Sequence, residues 1–296
     1  MTVDIKKNID MQLAFNQSKN FFHKDADELF KLTVSIVNSV HNIDQIPPAD
    51  LESLINYTVD KSLQELCRVN QYYSFRENDI INLKMIYHEL YQNIIKGENP
   101  IDIISKTHYE KLRVWLERTN RFSKKMYQNR EGILDSAPCS EYSAVLQSEI
   151  LHLHDIRLLE PILDIGCGKA GSLVKHLREK GFEAYGIDRF SEDSLFIDKA
   201  DWLTYKYGDK KWGTIVSNLS FSNHFMNNHL RVDGDYIRYA PSYMEILRAL
   251  KPGGCFCYAP DLPFIETHLE KKAYMIERHD IEKVSFKTTI ITKILS

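Results

Sequence analysis

Glycine is scarce in the first half of this sequence. Of its 12 glycines, only Gly97 and Gly132 lie within residues 1–150, and the other ten lie within residues 151–296. Glycine is favoured where the backbone needs a positive φ angle or has to approach another group closely. The first half therefore predicts continuous helix with few tight turns, and the second half predicts a turn-rich α/β fold.

Long apolar runs, paired cysteine motifs and excess positive charge are also lacking. No stretch approaches the ~20 apolar residues that span a bilayer, and the opening MTVDIKKNIDMQ has no apolar core of the kind found in a secretory signal. We therefore expect a cytoplasmic protein that does not act on a membrane. The five cysteines include no CxxC pair, so the sequence predicts neither a disulfide framework nor a metal site. A net charge of −3 argues against a uniformly basic nucleic-acid-binding protein.

Apolar residues recur at helical spacing through most of the first half, with breaks at Pro47-Pro48 and at Gly97. Helices are predicted over residues 24–40, 49–69, 79–96 and 101–128. The segment 129–143 contains Gly, Pro and Ser and is typical of a connector. We place the domain boundary there, with a helical domain over 1–135 and a second domain over 136–296. The helical domain is expected to serve as a substrate cap or to form a homodimer.

A basic segment lies within the helical domain. Residues 106–130 contain eight Lys/Arg and two Glu, which gives a local net charge of +6. A basic strip can contact the phosphates of a nucleic acid, and it can equally be a solvated helix face. The second interpretation is favoured, so nucleic acid is not the expected partner.

Short apolar runs alternate with helical stretches from about residue 149 onwards. Strands are predicted at 161–166, 183–188, 212–218 and 255–259, with a weak strand at 195–197 and a final antiparallel pair at 273–278 and 284–294. This alternation predicts an α/β fold, a Rossmann-like, doubly wound and mostly parallel sheet. Such sheets bind ligands at the carboxyl ends of their strands.

A glycine-rich loop, Gly166-Cys167-Gly168, directly follows the first of these strands. Such a loop turns tightly and approaches a ligand, but by itself it leaves the ligand open. Asp164, two residues before the loop, would repel a pyrophosphate and attract an ammonium group. Asp188 ends the second strand, where a carboxylate can accept both hydroxyl groups of a ribose. These residues favour a cofactor that carries a ribose and a cationic group.

Four segments in order resemble the class I S-adenosylmethionine-dependent methyltransferases. They are LDIGCGKAG at 163–171, GID at 186–188, AD at 200–201 and LKPGG at 250–254. The resemblance covers about residues 140–296 and implies the class I methyltransferase fold with S-adenosyl-L-methionine as cofactor. The residues expected to bind it are Asp164, Gly166, Cys167, Gly168, Asp188, Arg189, Asp201, Trp202, Ser217 and Asn218. Asp164 and the glycines are expected at the methionine part, and Asp201 and Trp202 at the adenine.

The segment after the fourth strand, SNLSFSNH at 217–224, borders the transferring carbon in this family. An Asn/Asp-Pro-Pro-aromatic motif is absent there, which argues against amino-group methylation of DNA, glutamine or adenine. His224 is a candidate general base, Asn223 is a candidate polar contact, and Tyr142 is a candidate aromatic lid over the cofactor.

A polar stretch, residues 225–238, follows His224 and is expected to form a long loop. Within it, Arg231 and Arg238 could bind a carboxylate, and Asp233 or Asp235 could bind an amine.

The favoured interpretation is methyl transfer to a small-molecule acceptor. A second interpretation keeps the cofactor but moves the attack to its aminobutyrate carbon. That group would be transferred as in nicotianamine synthase-like enzymes, or cyclised to azetidine-2-carboxylate, with release of methylthioadenosine. RNA methylation through the basic segment and a non-catalytic binding module are two further hypotheses.

Overall fold

The computed structural model describes residues 2–41, 47–134, 142–281 and 285–294. The chain divides into two compact units, Met1–Cys139 and Ser140–Ser296. The boundary expected after residue 135 lies outside the described residues. In the described ranges, no helix is both long enough and apolar enough to span a membrane.

Helices dominate the described part of the first unit. They are α1 (Thr2–Phe15), α2 (Ala26–Leu29), α3 (Val34–His41), α4 (Pro48–Val69), α5 (Glu77–Lys96), α6 (Ile101–Thr119) and α7 (Phe122–Tyr127). An isolated bridge joins Lys19 to Ile133. Gly97 ends α5 in the left-handed conformation, with φ at 63°, which is the common helix ending for glycine.

Two predicted helices of this unit are interrupted. The helix expected over 24–40 is split into α2 and α3, because other elements satisfy the extended backbone between them. The N–H of Leu32 donates to Ser105 Oγ, and that of Thr33 donates to the side chain of Gln12. Asn120 separates α6 from α7 by exchanging hydrogen bonds with the backbone of Ser74. Long-range side-chain contacts therefore override the local periodicity.

A seven-stranded sheet forms the centre of the second unit. Its strands are β1 (Ile162–Ile165), β2 (Ala184–Asp188), β3 (Ile197–Lys199), β4 (Trp212–Asn218), β5 (Leu250–Ala259), β6 (Tyr274–Asp280) and β7 (Lys287–Lys293). The strand order is β3-β2-β1-β4-β5-β7-β6. The first five strands are parallel, and β7 runs antiparallel to both β5 and β6. The prediction of a Rossmann-like, mostly parallel sheet is confirmed, as is the final antiparallel pair.

Helices connect and cover the strands of this unit. They are α8 (Ala144–Ile150), α9 (Ser172–Glu179), α10 (Phe221–Leu230), α11 (Tyr236–Arg248) and α12 (Pro263–Glu266). The strand order reverses at β1, which pairs with β2 on one side and β4 on the other. A ligand crevice is expected outside the carboxyl ends of the strands at such a point.

Two local predictions for the second unit are wrong. The polar stretch 225–238 is not a long loop, because α10 continues to Leu230 and α11 begins at Tyr236. Phe225 and Tyr239 stack within this pair, with ring centroids 5.5 Å apart, so an apolar helix contact underlies the polar sequence. The strand predicted at 255–259 begins earlier, at Leu250, so the LKPGG segment belongs to β5, and the pairing register with β4 shifts there.

A buried carboxylate connects the antiparallel edge to β5. Glu266 is 1% exposed and accepts hydrogen bonds from the hydroxyls of Tyr258 and Thr289 and from the N–H of Leu262, at 2.7 to 2.9 Å. Its other oxygen pairs with Arg278, whose Nε lies 2.7 Å away. Because the charge is paired and its oxygens are fully hydrogen-bonded, Glu266 has a structural role.

Candidate functional site

The loop between β1 and α9 is built on glycines with positive φ angles. Gly166, Gly168 and Gly171 have φ of 74°, 73° and 58°. A Cβ at Gly166 would lie 2.5 Å from the Cβ of Ser220, and a Cβ at Gly171 would lie 2.2 Å from Cδ1 of Ile197. Both conformation and close packing therefore require glycine at these positions.

Two buried oxygen atoms beside this loop have no hydrogen-bond partner among the described residues. They are Oδ2 of Asp164, near the end of β1, and Oδ1 of Asn218, at the end of β4. The strands are neighbours, with Asp164 paired to Val216, two residues before Asn218. An unpaired buried acceptor is costly, and an unpaired buried carboxylate more so. This edge of the sheet is therefore prepared for a ligand that donates hydrogen bonds and carries positive charge.

Asp164 is almost fully buried, with 1% of its surface exposed. This burial, and then the nearby charge of Asp188, raises the pKa of Asp164 to about 8. The carboxyl group therefore holds its proton at neutral pH until a positive charge approaches. A cationic ligand would reverse both effects by pairing with the ionised form.

Asp188 joins the end of β2 to the glycine loop. Its Oδ2 accepts a hydrogen bond from the N–H of Gly168 at 3.3 Å, and its Oδ1 accepts one from Phe190 at 2.8 Å. Cys167, buried in the same loop, would touch any Cβ at Gly186, since its Sγ would lie 2.7 Å away. The backbone of the glycine loop therefore holds the carboxylate of Asp188, the group that is expected to bind a ribose, in place.

The segment after β4 is tied to β1 through one carbonyl group. Ser217 Oγ and Ser220 Oγ both donate to the carbonyl oxygen of Ile165, at 3.2 and 2.6 Å. The two hydroxyl oxygens also lie 2.7 Å apart. Leu219 between them has a positive φ of 50°. Ser217 therefore supports the site from within the core, and Ser220 forms the wall against Gly166.

Three aromatic side chains pack together near this edge, Trp202 after β3, His224 in α10 and Tyr239 in α11. The rings of Trp202 and His224 meet edge to face, with centroids 5.0 Å apart, and Trp202 donates a hydrogen bond to the hydroxyl of Tyr239. Burial, and then the charge of Arg189, lowers the pKa of His224 to about 3. The imidazole is therefore neutral at physiological pH and is a weak base.

The other predicted residues are placed as follows. Asp201 is exposed and caps the turn after β3 by accepting from the N–H of Leu203 at 2.9 Å. Asn223 is half-buried in the first turn of α10. Arg189 is half-buried, and its guanidinium lies 4.8 Å from the ring centroid of Phe190.

Tyr142 and the charged residues after α10 are the remaining candidate residues. Tyr142 precedes α8, where its carbonyl accepts from Gln147 Nε2, and within the described ranges its side chain has no hydrogen bond or ring contact. The charged residues after α10 pair with one another instead of leaving a binding group open. Arg231 lies 3.0 Å from Asp233, and Arg238 lies 3.6 Å from Asp235.

Sequence reasoning missed two residues at this edge, Ser220 and Tyr239. Ser220 packs on Gly166 only because the β4–α10 turn folds back over β1, which no local pattern reveals. Tyr239 and Tyr243 have helical spacing and are both buried, and that spacing was a usable signal. Over the described part of the chain, no group of three or more His, Cys, Asp or Glu is placed to hold a metal ion.

No protein-family model and no curated protein sequence matches this chain. Solved structures of methyltransferases resemble it, with low scores. A TehB-like SAM-dependent methyltransferase from Corynebacterium glutamicum is 19% identical, over 50% of this chain and 87% of that chain, with a TM-score of 0.35. The N-methyltransferase NodS from Bradyrhizobium japonicum is 15% identical, over 51% and 96%, with a TM-score of 0.37.

A phosphoethanolamine N-methyltransferase from Haemonchus contortus, solved with phosphomonomethylethanolamine and S-adenosylhomocysteine, also resembles the chain. It is 14% identical, over 51% of this chain and 53% of that chain, with a TM-score of 0.35. Similarity at this level does not assign an activity, which has to be argued from the chain's own residues.

Proposed function

We propose that the second unit binds S-adenosyl-L-methionine and that the protein transfers its methyl group to a small-molecule acceptor. The observation that carries the proposal is the pair of unpartnered buried oxygens, Asp164 Oδ2 and Asn218 Oδ1, beside a glycine loop. A pyrophosphate would bring negative charge to a buried carboxylate, whereas the ammonium group of an amino acid brings three donors and a positive charge.

The remaining residues of this edge fit the other parts of the cofactor. Asp188, fixed at the end of β2, is suited to accept from the ribose hydroxyls. Trp202, with Asp201 beside it, is suited to border the adenine. Cys167 and Arg189 are proposed to line the same site, and Ser217 to support it. The cofactor, when bound, supplies a methyl group activated by a positively charged sulfur.

The chain's own contribution would then be binding and alignment more than proton transfer. His224 was expected to act as a base, but a pKa of about 3 makes it a poor proton acceptor at neutral pH. We propose that His224 and Asn223 orient the acceptor by hydrogen bonds. Tyr142 is kept as a proposed lid residue.

The charges of the basic segment favour a small acceptor over RNA. Within residues 106–130, Lys106 pairs with Asp27 at 3.1 Å, and Lys124 pairs with Glu117 at 3.0 Å. Lys111 pairs with Glu89. Ion pairs within the first unit therefore already engage part of the positive charge that phosphates would need.

Product analysis tests the proposal. The full-length protein is incubated with S-adenosyl-L-methionine and a metabolite extract, and the nucleoside products are identified by mass spectrometry. S-adenosylhomocysteine is expected from methyl transfer, and methylthioadenosine would instead identify attack on the aminobutyrate carbon. Asp188→Ala should abolish turnover, whereas Glu179→Gln, an exposed carboxylate on α9, should not. Absence of S-adenosyl-L-methionine binding in calorimetry would refute the proposal.

A further inference from the structure

The first unit contains a cavity that is lined by residues of α1, α3, α4, α5 and α6. Its volume is about 80 Å³, above the ~10–15 Å³ that a cavity needs to hold one water molecule. Nine aliphatic, six aromatic and six polar side chains line it. The aromatic residues are Phe21, Phe30, Tyr87, Tyr91, Tyr109 and Trp115. Such a lining favours an aromatic occupant, because aromatic rings pack edge to face and offset with one another.

A smaller cavity adjoins the first one. It has a volume of about 40 Å³, and Phe21, Leu66 and Leu116 line both cavities. An engineered cavity of about 150 Å³ accommodates benzene. The two cavities are together smaller than this, so one six-membered ring would fit only after the side chains between them move.

The hydroxyl groups on the cavity wall already have partners. The Tyr87 hydroxyl lies 2.7 Å from Ser62 Oγ, and the Tyr91 hydroxyl lies 2.7 Å from Thr58 Oγ1. The hydroxyl of Tyr109 accepts from the side-chain amides of Gln12 in α1 and of Asn16, which directly follows α1. The hydroxyls of Tyr87 and Tyr91 are therefore each paired with a neighbouring hydroxyl, and the Tyr109 hydroxyl is engaged as an acceptor.

His108 differs from these hydroxyl groups because one of its buried ring nitrogens lacks a hydrogen-bond partner within the described ranges. It is 5% exposed, it lines the cavity, and its Nδ1 has no hydrogen-bond partner in the described part of the chain. Its ring lies against Tyr87 and Tyr109, with centroids 5.1 and 5.0 Å away. Burial lowers the pKa of His108 to about 3, so the imidazole is neutral at physiological pH. A buried polar atom without a partner is costly, which favours a ligand that supplies one.

The residues that line the cavity also indicate which charge and which polar group a ligand would carry. Glu65 is the charged side chain among the lining residues, and it is paired with Arg68 at 2.7 Å, so the cavity disfavours an ionic ligand. The neutral imidazole presents one N–H donor and one bare nitrogen. A hydroxyl group can pair with either nitrogen, because it both donates and accepts.

We propose that this cavity binds a small neutral aromatic alcohol of the phenol class, whose ring packs among the aromatic side chains and whose hydroxyl hydrogen-bonds to His108. The site lies wholly within the first unit and uses none of the residues proposed to bind S-adenosyl-L-methionine.

Calorimetry of the full-length protein with phenol and with benzene tests this assignment. Phenol should bind about tenfold more tightly than benzene, which corresponds to one buried hydrogen bond. In His108→Phe that preference should disappear while benzene binding remains. The exposed His88→Phe serves as the matched control and should keep the preference.

A cavity-filling variant, Leu112→Phe, should weaken the binding of both ligands. Circular dichroism melting of each variant separates loss of the site from loss of the fold. Equal affinity of the wild-type protein for phenol and benzene would overturn the role of His108. Failure of both ligands to bind the folded wild-type protein would overturn the site.

Discussion

Replacing Asp164 with Asn removes the buried carboxyl group beside the glycine loop while keeping its shape. Because the pKa of Asp164 is raised from 3.8 to about 8, the folded protein keeps this proton over a pH range in which the unfolded chain has lost it. The free energy of unfolding therefore falls as pH rises from about 4 to about 8, by about 1.4 kcal/mol per pH unit.

The expected difference between the two proteins is large enough to measure. Relative to Asp164→Asn, the ligand-free wild-type protein should lose about 3–4 kcal/mol of stability between pH 5 and pH 8. Urea unfolding followed by the fluorescence of Trp202 and Trp212, the tryptophans of the second unit, reports the transition. Asp198→Asn, an exposed carboxylate on β3, should keep the wild-type pH dependence.

The same substitution should act in the opposite direction on binding. Asp164→Asn should bind S-adenosylhomocysteine more weakly, because the amide offers no charge to the ammonium group. In the wild-type protein, affinity should rise as pH approaches 8, where Asp164 loses its proton more easily. Identical pH slopes of stability in wild type and Asp164→Asn would refute the reasoning about this carboxylate.

Four further outcomes are expected. Gly166→Ala should destabilise the second unit by about 1–3 kcal/mol in urea unfolding, since its φ is positive and its Cβ would overlap a serine; unchanged stability would contradict this. Asp188→Asn should weaken S-adenosylhomocysteine binding about tenfold or more in calorimetry, and equal affinity would remove the ribose role. Glu266→Gln should cost about 1–2 kcal/mol of stability, less than for a fully buried pair because Arg278 is 36% exposed, and a neutral effect would contradict a structural pair. The pH profiles of kcat for the wild-type protein and for His224→Asn should have the same shape near pH 6.5, because the pKa of His224 is about 3.

The sheet could be predicted because its signals are local. A few consecutive apolar residues predict each of the strands β1, β2 and β4. The glycines that follow β1 predict a tight turn in the same local way. The helical unit was harder, because its interruptions depend on distant side chains. Ser105 and Gln12 satisfy the backbone between α2 and α3, and a periodicity within residues 24–40 cannot report that.

The site could be predicted in part for the same reason. Asp164 lies near the end of β1 and Asp188 ends β2, and the local sequence pattern predicts both strands. Burial, by contrast, decides the chemistry of His224, and burial arises from Trp202 and α10 packing around it. The ion pairs of the arginines after α10 join residues close in sequence, such as Arg231 and Asp233, so these pairs could have been expected from the sequence.

The two serines that share the carbonyl of Ile165 give the site a mechanical property. The glycine loop and the β4–α10 turn meet at that one oxygen, and Ser220 also presses on Gly166. A displacement of either segment must break the same pair of hydrogen bonds, so the segments shift together. A ligand that displaced the glycine loop would therefore also displace the β4–α10 turn, where the acceptor is proposed to bind.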